Sequence, residues 1–344
     1  MRQRQSNYEL LRLAAGLAVI LLHFNYTPGG GGALESARGA TYYVLTLLEI
    51  VAVCAVNLFV LLSGYFSCDS KSIKTGKLLE LLLQTMCFRL AFTVLGSALH
   101  HSWSIKKLGA ALIPENYFVI LYIVLMILAP FINKMIGALS QRDFTLLVIL
   151  SFAAFSLYAT MVDILKEVTG SAWGGLSPVG IAGSMGGYSI VNFALIYLIG
   201  AWLKRMDFRT LKTGTLIAAL IGSVCILFVW GKILPGSALN YCNPILIIES
   251  CIIFLLFGRL KIESKAINKV AKASFSCFLI HPHILGYIGD RFIVGQPTGA
   301  VLAVLLIEMT VIYGLSIVVM LIWDSVTKTL FQSTIYRLPN ISIG

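Results

Sequence analysis

The chain has 344 residues, of which 58% are hydrophobic and only 12% charged, and its mean hydropathy is +0.89, whereas an ordinary soluble domain carries roughly 25% charged residues. That shortfall leaves too little charge to cover a water-soluble surface, so composition excludes a soluble globule and points to an all-α, polytopic integral membrane protein. The formal charge of +11 invites a nucleic-acid partner until the basic residues are placed along the chain, when they sort by side of a membrane instead.

Cutting at charged and Gly/Pro clusters gives ten apolar segments, 8–26, 42–66, 78–99, 117–137, 144–163, 188–203, 214–231, 244–258, 273–293 and 299–323. Most are near the roughly 20 residues a helix needs to cross hydrocarbon. The first follows Met1-Arg2-Gln3-Arg4-Gln5, as a secretory signal would, but Glu9 and Arg12 at its edge suit a retained first helix better. Arg12 and His23 are 11 residues apart; at about 100° per residue they fall within roughly 20° of one helix face, about 16 Å apart along the axis. Ionisable groups in a bilayer are costly, so this pair is a functional candidate: a guanidinium one turn from one end, and deeper an imidazole.

Pro28 to Gly32 is a glycine run without the Lys-Ser/Thr end of a phosphate loop, and reads as a flexible connection. The second segment carries Glu49 and ends Asn57-Leu58-Phe59-Val60-Leu61-Leu62-Ser63-Gly64-Tyr65-Phe66, where small Ser63 and Gly64 suit close helix contact. The basic loop Lys71, Lys74, Lys77 follows. Arg89 in the third segment needs a partner, for which Glu49, Glu249 and Glu308, all inside apolar segments, are the candidates. His100 and His101 stand at a helix end as surface residues. In the ninth segment His281-Pro282-His283 places a helix breaker between two histidines. A non-ideal turn there can face a cavity, and i, i+2 spacing sends the two rings to different faces, a poor metal site. The seven cysteines show no CxxC and no metal-ligand spacing.

With these segments as spans, 18 of the 26 Lys and Arg lie on the side of Arg2, Lys71, Lys134, Lys204, Arg259 and Lys328, six lie on the opposite side, and Arg12 and Arg89 lie within segments. The positive-inside rule then puts both termini in the cytoplasm. The basic balance reports topology and contact with anionic membrane lipids, with no nucleic acid implied. No repeat or composition break divides the chain, so residues 1–344 read as a single transmembrane domain.

Asn7-Tyr8-Glu9-Leu10-Leu11-Arg12, then ten residues, then His23 resembles the opening helix of the acyltransferase 3 family, bacterial membrane-bound O-acyltransferases of surface polysaccharides. Further segments look alike in the same order: Val56 to Phe66, Tyr117-Phe118 through Tyr122 to Ala129-Pro130-Phe131-Ile132-Asn133-Lys134, Tyr197 to Gly200-Ala201, Tyr241 to Pro244, and Ser274-Phe275 to Leu279-Ile280-His281. The resemblance implies a multi-pass protein of the bacterial inner membrane and an acyl-CoA donor, usually acetyl-CoA, bound from the cytoplasm. It also implies an acceptor hydroxyl on a polysaccharide or lipid-linked glycan. It matches His23 to the family's catalytic histidine and Arg12 to the arginine that holds the CoA part of the donor. Where many members have Arg-x-x-Arg near the third helix, this chain has Lys74-x-x-Lys77, which keeps charge but loses the bidentate fork for phosphate. The aromatic pair Trp-Phe is here Tyr117-Phe118.

The chemistry of thioester-to-hydroxyl transfer asks for the same parts. A base takes the hydroxyl proton, donors hold the oxyanion and cations grip the nucleotide phosphates. With an ordinary pKa near 6.5, histidine serves as base and then acid near neutrality. His23 is the candidate for that role, Arg12, Lys74 and Lys77 are candidates for the phosphates, and Asn57, Ser63, Tyr65 and His281 are candidate oxyanion or acceptor contacts. No metal or permanently bound cofactor is required. Intramembrane Arg, Glu and His also serve secondary transporters, the competing reading, for which the inverted repeats common in such folds are missing from the sequence. A third reading, a non-catalytic glycan-assembly partner, would bind no CoA.

Overall fold

Within hydrocarbon every backbone N–H and C=O must be bonded inside the protein, so long apolar runs have helix as their available form. The computed structural model of the chain describes residues 5–27, 31–208, 210–288, 293, 295–330 and 338–343, and its long elements are all helices. They are α1 (Ser6–Asn25), α2 (Gly39–Ala52), α3 (Ala55–Ser67), α4 (Thr75–Leu99), α5 (Tyr117–Ala138) and α6 (Gln141–Thr169, with a π-helical stretch at Ala153–Tyr158). They continue with α7 (Ile190–Arg205), α8 (Thr213–Ile233), α9 (Pro244–Gly258), α10 (Ser274–Ile288) and α11 (Thr298–Leu330). Side-chain caps start several of them where the chain leaves extended backbone. Asn116, Ser140, Ser189 and Asn243 each accept a backbone N–H of the first turn, and Pro244 follows Asn243 where its missing N–H costs nothing.

Seven helical units among the described residues are long and apolar enough to cross a membrane: α1, α2 with α3 across the slight break at Val53–Cys54, α4, α5, α6, α8 and α11. The remaining three of the ten expected segments fall on α7, α9 and α10, which are only 16, 15 and 15 residues long. A count of ten therefore depends on short helices. Both α7 and α9 are buried along most of their length inside the bundle. In contrast α8 exposes Ile217, Ile221, Ile226, Val229 and Ile233, and α6 exposes Leu146, Ile149 and Leu150. An apolar exterior around a core that holds Asn57, Glu249, Asn192 and His281 inverts the soluble pattern and suits a lipid surround.

Helix α1 lies centrally, packed against α2, α3, α9, α10 and α11, so the residues of its one polar face reach several neighbours. The tightest seam joins α3 to α7. A Cβ at Gly64 would collide with the Tyr197 carbonyl, and one at Gly200 with the Leu61 carbonyl, so the two backbones touch where the sequence had suggested close helix contact. Tyr197 donates its hydroxyl to Asn133 Oδ1 of α5 at 2.9 Å, and Asn133 Nδ2 donates to the carbonyls of Ser67 and Ser70 at 2.8 and 2.9 Å. The seam thereby anchors the turn that leaves α3. Beyond it, β1 (Ser72–Ile73) pairs antiparallel with β2 (Ile341–Ser342). The Ile343 N–H donates to the Lys71 carbonyl at 2.9 Å, and Thr75 Oγ1 donates to the Pro339 carbonyl at 2.8 Å.

Arg89 does not pair with any of the three intramembrane glutamates. Its guanidinium bonds the Glu115 carboxylate and the Ile113 carbonyl, in the loop before α5. Glu115 is three-quarters exposed, so this pair avoids stripping a carboxylate of water, whereas Glu49 is buried and accepts Asn25 Nδ2 at 2.6 Å. Because the pair is open to solvent, Glu115→Gln is expected to change unfolding free energy by less than about 1 kcal/mol, measured by thermal unfolding in detergent. His100 and His101 are exposed at the end of α4, as expected of surface residues. In the glycine run, Pro28 to Gly30 lie outside the described residues. Gly32 adopts φ +62° at the start of a short helix, and a Cβ on Gly31 would meet Ile293, so that end of the run is packed rather than loose.

Candidate active site

A cavity of about 590 Å³ opens among α1, α3, α4, α5, α10 and α11. Arg12, Ser63, Lys74 and Lys77 all line it, so residues up to 65 positions apart in the chain converge on one space. Periodicity explains who reaches it. On α3 the lining residues are Phe59, Ser63 and Ser67, four apart, and on α4 they are Lys77, Leu78, Glu80, Leu81 and Gln84, mostly three or four apart, spacings that keep side chains on one helix face. Asn57 and Tyr65 lie off that face. Asn57 is buried and gives its amide N–H to the Tyr241 carbonyl at 2.9 Å. Tyr65 packs among Tyr8, Phe66 and Phe254, with centroid separations of 5.3, 5.1 and 5.1 Å. Neither lines this cavity: Asn57 ties α3 to the loop before α9, and Tyr65 packs among aromatic rings.

The end of the cavity near the start of α4 is cationic. Lys74 stands at the residue before that helix, without a side-chain capping bond, and Lys77 lies in its first turn, where the unbonded N–H groups of a helix start add partial positive charge. Arg12 donates from Nη1 to Glu9 Oε2 at 2.7 Å, with its side chain one-third exposed to the cavity side. A guanidinium carries five donors, so one bond to Glu9 leaves capacity for an anion. Lys272, which the sequence had marked only as one cytoplasmic-side cation among many, also lines this space. Glu80 and Asp324 are the acids at the cavity wall.

Deeper in, the lining turns to hydroxyls and aromatic rings. Ser63 Oγ and Tyr122 Oη are 3.0 Å apart, and Gln84 Nε2 donates to Ser276 Oγ at 3.1 Å. Pro130 breaks the α5 backbone pattern beside Met126 and Ala129, all three on the cavity wall, consistent with irregular backbone being tolerated where it faces an interior space. Ser274 Oγ reaches the Ala271 carbonyl at 2.8 Å, the Tyr313 hydroxyl at 3.0 Å and the Arg12 carbonyl at 3.4 Å, which fixes the start of α10 against α1.

His23 and His281 are not on the cavity wall. Their rings meet edge to face with centroids 4.6 Å apart, His23 exposed and His281 only 1% exposed. Phe278 bridges the two regions: it lines the cavity, its centroid lies 6.0 Å from that of His281, and it packs against Phe118 at 4.9 Å. The cationic end, the hydroxyl-lined middle and the histidine pair therefore follow one another, with an aromatic wall before the last. His283 turns away and stacks on Phe92 at 4.7 Å, as the i, i+2 spacing requires.

Such an arrangement can hold a polyanionic group at one end and carry out acid–base chemistry at the other. Comparison with known proteins gives no match among curated proteins or solved structures. A family profile described as an acyltransferase domain matches residues 5–323, nearly the whole chain. That span includes the Arg12–His23 helix, every cavity-lining residue but Asp324, and the histidine pair, and the chain belongs to the acyltransferase 3 family.

Proposed function

We propose that this membrane acyltransferase moves an acyl group, acetyl in the simplest case, from acyl-CoA to a hydroxyl of a cell-surface or lipid-linked glycan in a bacterial inner membrane. The observation that carries the reading is the convergence of Arg12, Lys74 and Lys77 on one cavity whose wall at Phe278 adjoins His281, which in turn meets His23. CoA carries a diphosphate and a 3′-phosphate at one end of a long pantetheine arm and its thioester at the other. The cationic end suits the phosphates, and the arm runs past Ser63, Tyr122 and Gln84 toward the aromatic wall. With the amino terminus in the cytoplasm, as the charge distribution indicates, Arg12 faces the side where CoA is found and His23 the side where surface glycan is built.

In the transfer step the acceptor oxygen attacks the thioester carbonyl while His23 takes the hydroxyl proton. The carbon–sulfur bond then breaks, and the CoA thiolate leaves with the proton returned by the imidazolium. Ser63 and Tyr122 are the candidate oxyanion contacts in this reading, once a bound thioester draws their hydroxyls from the Phe59 carbonyl and from each other. Purified protein supplied with labelled acetyl-CoA and a lipid-linked glycan is expected to move label into the glycan. Failure of acetyl-CoA to bind, measured by calorimetry, together with no label transfer would overturn the proposal and return the transporter reading.

Removing the guanidinium should act on the donor. Arg12→Ala is expected to raise the KM for acetyl-CoA about tenfold or more, the loss of a charged hydrogen bond, while the KM for the glycan stays as it was. An unchanged donor KM would place the phosphates elsewhere.

A further inference from the structure

The His281 side chain presents an accounting problem that packing does not solve. It is 1% exposed, and Nδ1 lies 3.0 Å from the Cys277 carbonyl. A carbonyl oxygen only accepts, so Nδ1 carries the proton and Nε2 of the neutral ring is a bare lone pair. That Nε2 is buried and has no hydrogen-bond partner, although buried acceptors are satisfied in the great majority of cases. Among the described residues, two rings pack against His281. Phe278 has no donor to offer; His23, edge to face at 4.6 Å, has one. His23 is the exposed member of the pair, on α1, and so the ring freer to turn, whereas His281 is held in place by its bond to Cys277 and by burial.

We propose that His281 is the positioning residue of a histidine dyad: its Nε2 accepts a ring N–H from His23 and so fixes the His23 tautomer, leaving the other His23 nitrogen as the lone pair that takes the acceptor's proton. The inference rests on the proposed role of His23 as base and adds how that base is oriented. During transfer the hydroxyl proton moves to the free His23 nitrogen. The resulting imidazolium keeps its second N–H on His281 Nε2, and the first proton passes to the departing thiolate, so His281 neither gains nor loses a proton over the cycle. A second imidazole serves here as a carboxylate does in other base-orienting pairs, without placing an anion in the apolar interior.

His281→Phe keeps a planar ring of similar size and removes the acceptor, and His281→Gln offers a side-chain oxygen that can replace it. The expected result is a fall in kcat of about tenfold or more in His281→Phe, smaller than the 10²–10⁴ of losing the base itself, with the KM values for donor and glycan unchanged and activity partly recovered in His281→Gln. Independently of activity, solid-state ¹⁵N spectra of histidine-labelled protein report the tautomers. The chain has only 5 histidines, so single replacements assign them. Wild-type His281 should show Nδ1–H and His23 a single tautomer, and His281→Phe should turn His23 into a mixture. An unaltered His23 spectrum, an unaltered kcat, or a rise confined to the acceptor KM would overturn the dyad. Tautomer coupling in a protein that transfers no acyl group would instead leave the dyad standing and defeat the transferase reading.

Discussion

His23→Gln is expected to lower kcat for acyl transfer by about 10²–10⁴ while acetyl-CoA still binds with the affinity of the wild type. Two features separate the losses. His23 is absent from the wall of the cavity that gathers Arg12, Lys74, Lys77 and Lys272, so its removal leaves the phosphate contacts untouched. It also stands on the far side of Phe278 and His281, where it can meet an acceptor hydroxyl without displacing the nucleotide end of the donor. Glutamine keeps a polar side chain of comparable length but cannot take a proton near neutrality, so the change tests basicity rather than packing. The measurement is the rate of label transfer at saturating donor beside a calorimetric Kd for acetyl-CoA in the same preparation. Equal transfer by the variant would remove His23 from the chemistry, and loss of donor binding would relocate it to the donor site.

The largest structural effect is expected at the α3–α7 seam. Gly64→Leu puts a side chain where the Tyr197 carbonyl already lies, and Gly200→Leu does the same against Leu61. In each case the obstacle is helix backbone, which cannot swing aside as a side chain can, so the helices must part. We expect a loss of about 3 kcal/mol or more, at or above the upper end of ordinary overpacking, read as a lowered unfolding midpoint in detergent. Parting the seam also moves Tyr197, and with it Asn133 and the carbonyls of Ser67 and Ser70 that Asn133 holds. Since Ser67 and Ser70 line the cavity, the milder Gly64→Ala should weaken acetyl-CoA binding before it unfolds the protein. A variant as stable as the wild type would show that the two backbones do not touch.

Several residues that carry the family resemblance acquire separate physical reasons in the structure. Gly64 and Gly200 are small because two backbones meet, and Tyr197 and Asn133 are polar because they tie that contact to the cavity mouth. Arg12 and His23 were legible as a pair from helical period alone, because a single helix preserves the angle between its own side chains whatever surrounds it. The same period explains why Ser63 reaches the cavity and Asn57 and Tyr65 do not, but only once the facing direction of α3 is known. Arg89 illustrates the opposite case. Its nearest acidic candidates in an apolar setting were intramembrane glutamates, and the partner is instead Glu115 in a loop, since an exposed carboxylate is the cheaper one to pair.

Hydrophobicity, the spacing of charges and helical period are local properties, and the sequence by itself therefore determined a polytopic helical membrane protein, the shared face of Arg12 and His23, and the family. Distances between helices far apart in the chain depend on how their surfaces interlock, and that only the tertiary structure decided. It brought Lys272 of the segment before α10 to the lysines at the start of α4, set His281 against His23, and placed Phe278 between the cavity and His281. No pattern along the chain specifies those meetings, because each is set by the packing of complete helix faces rather than by the residues that meet.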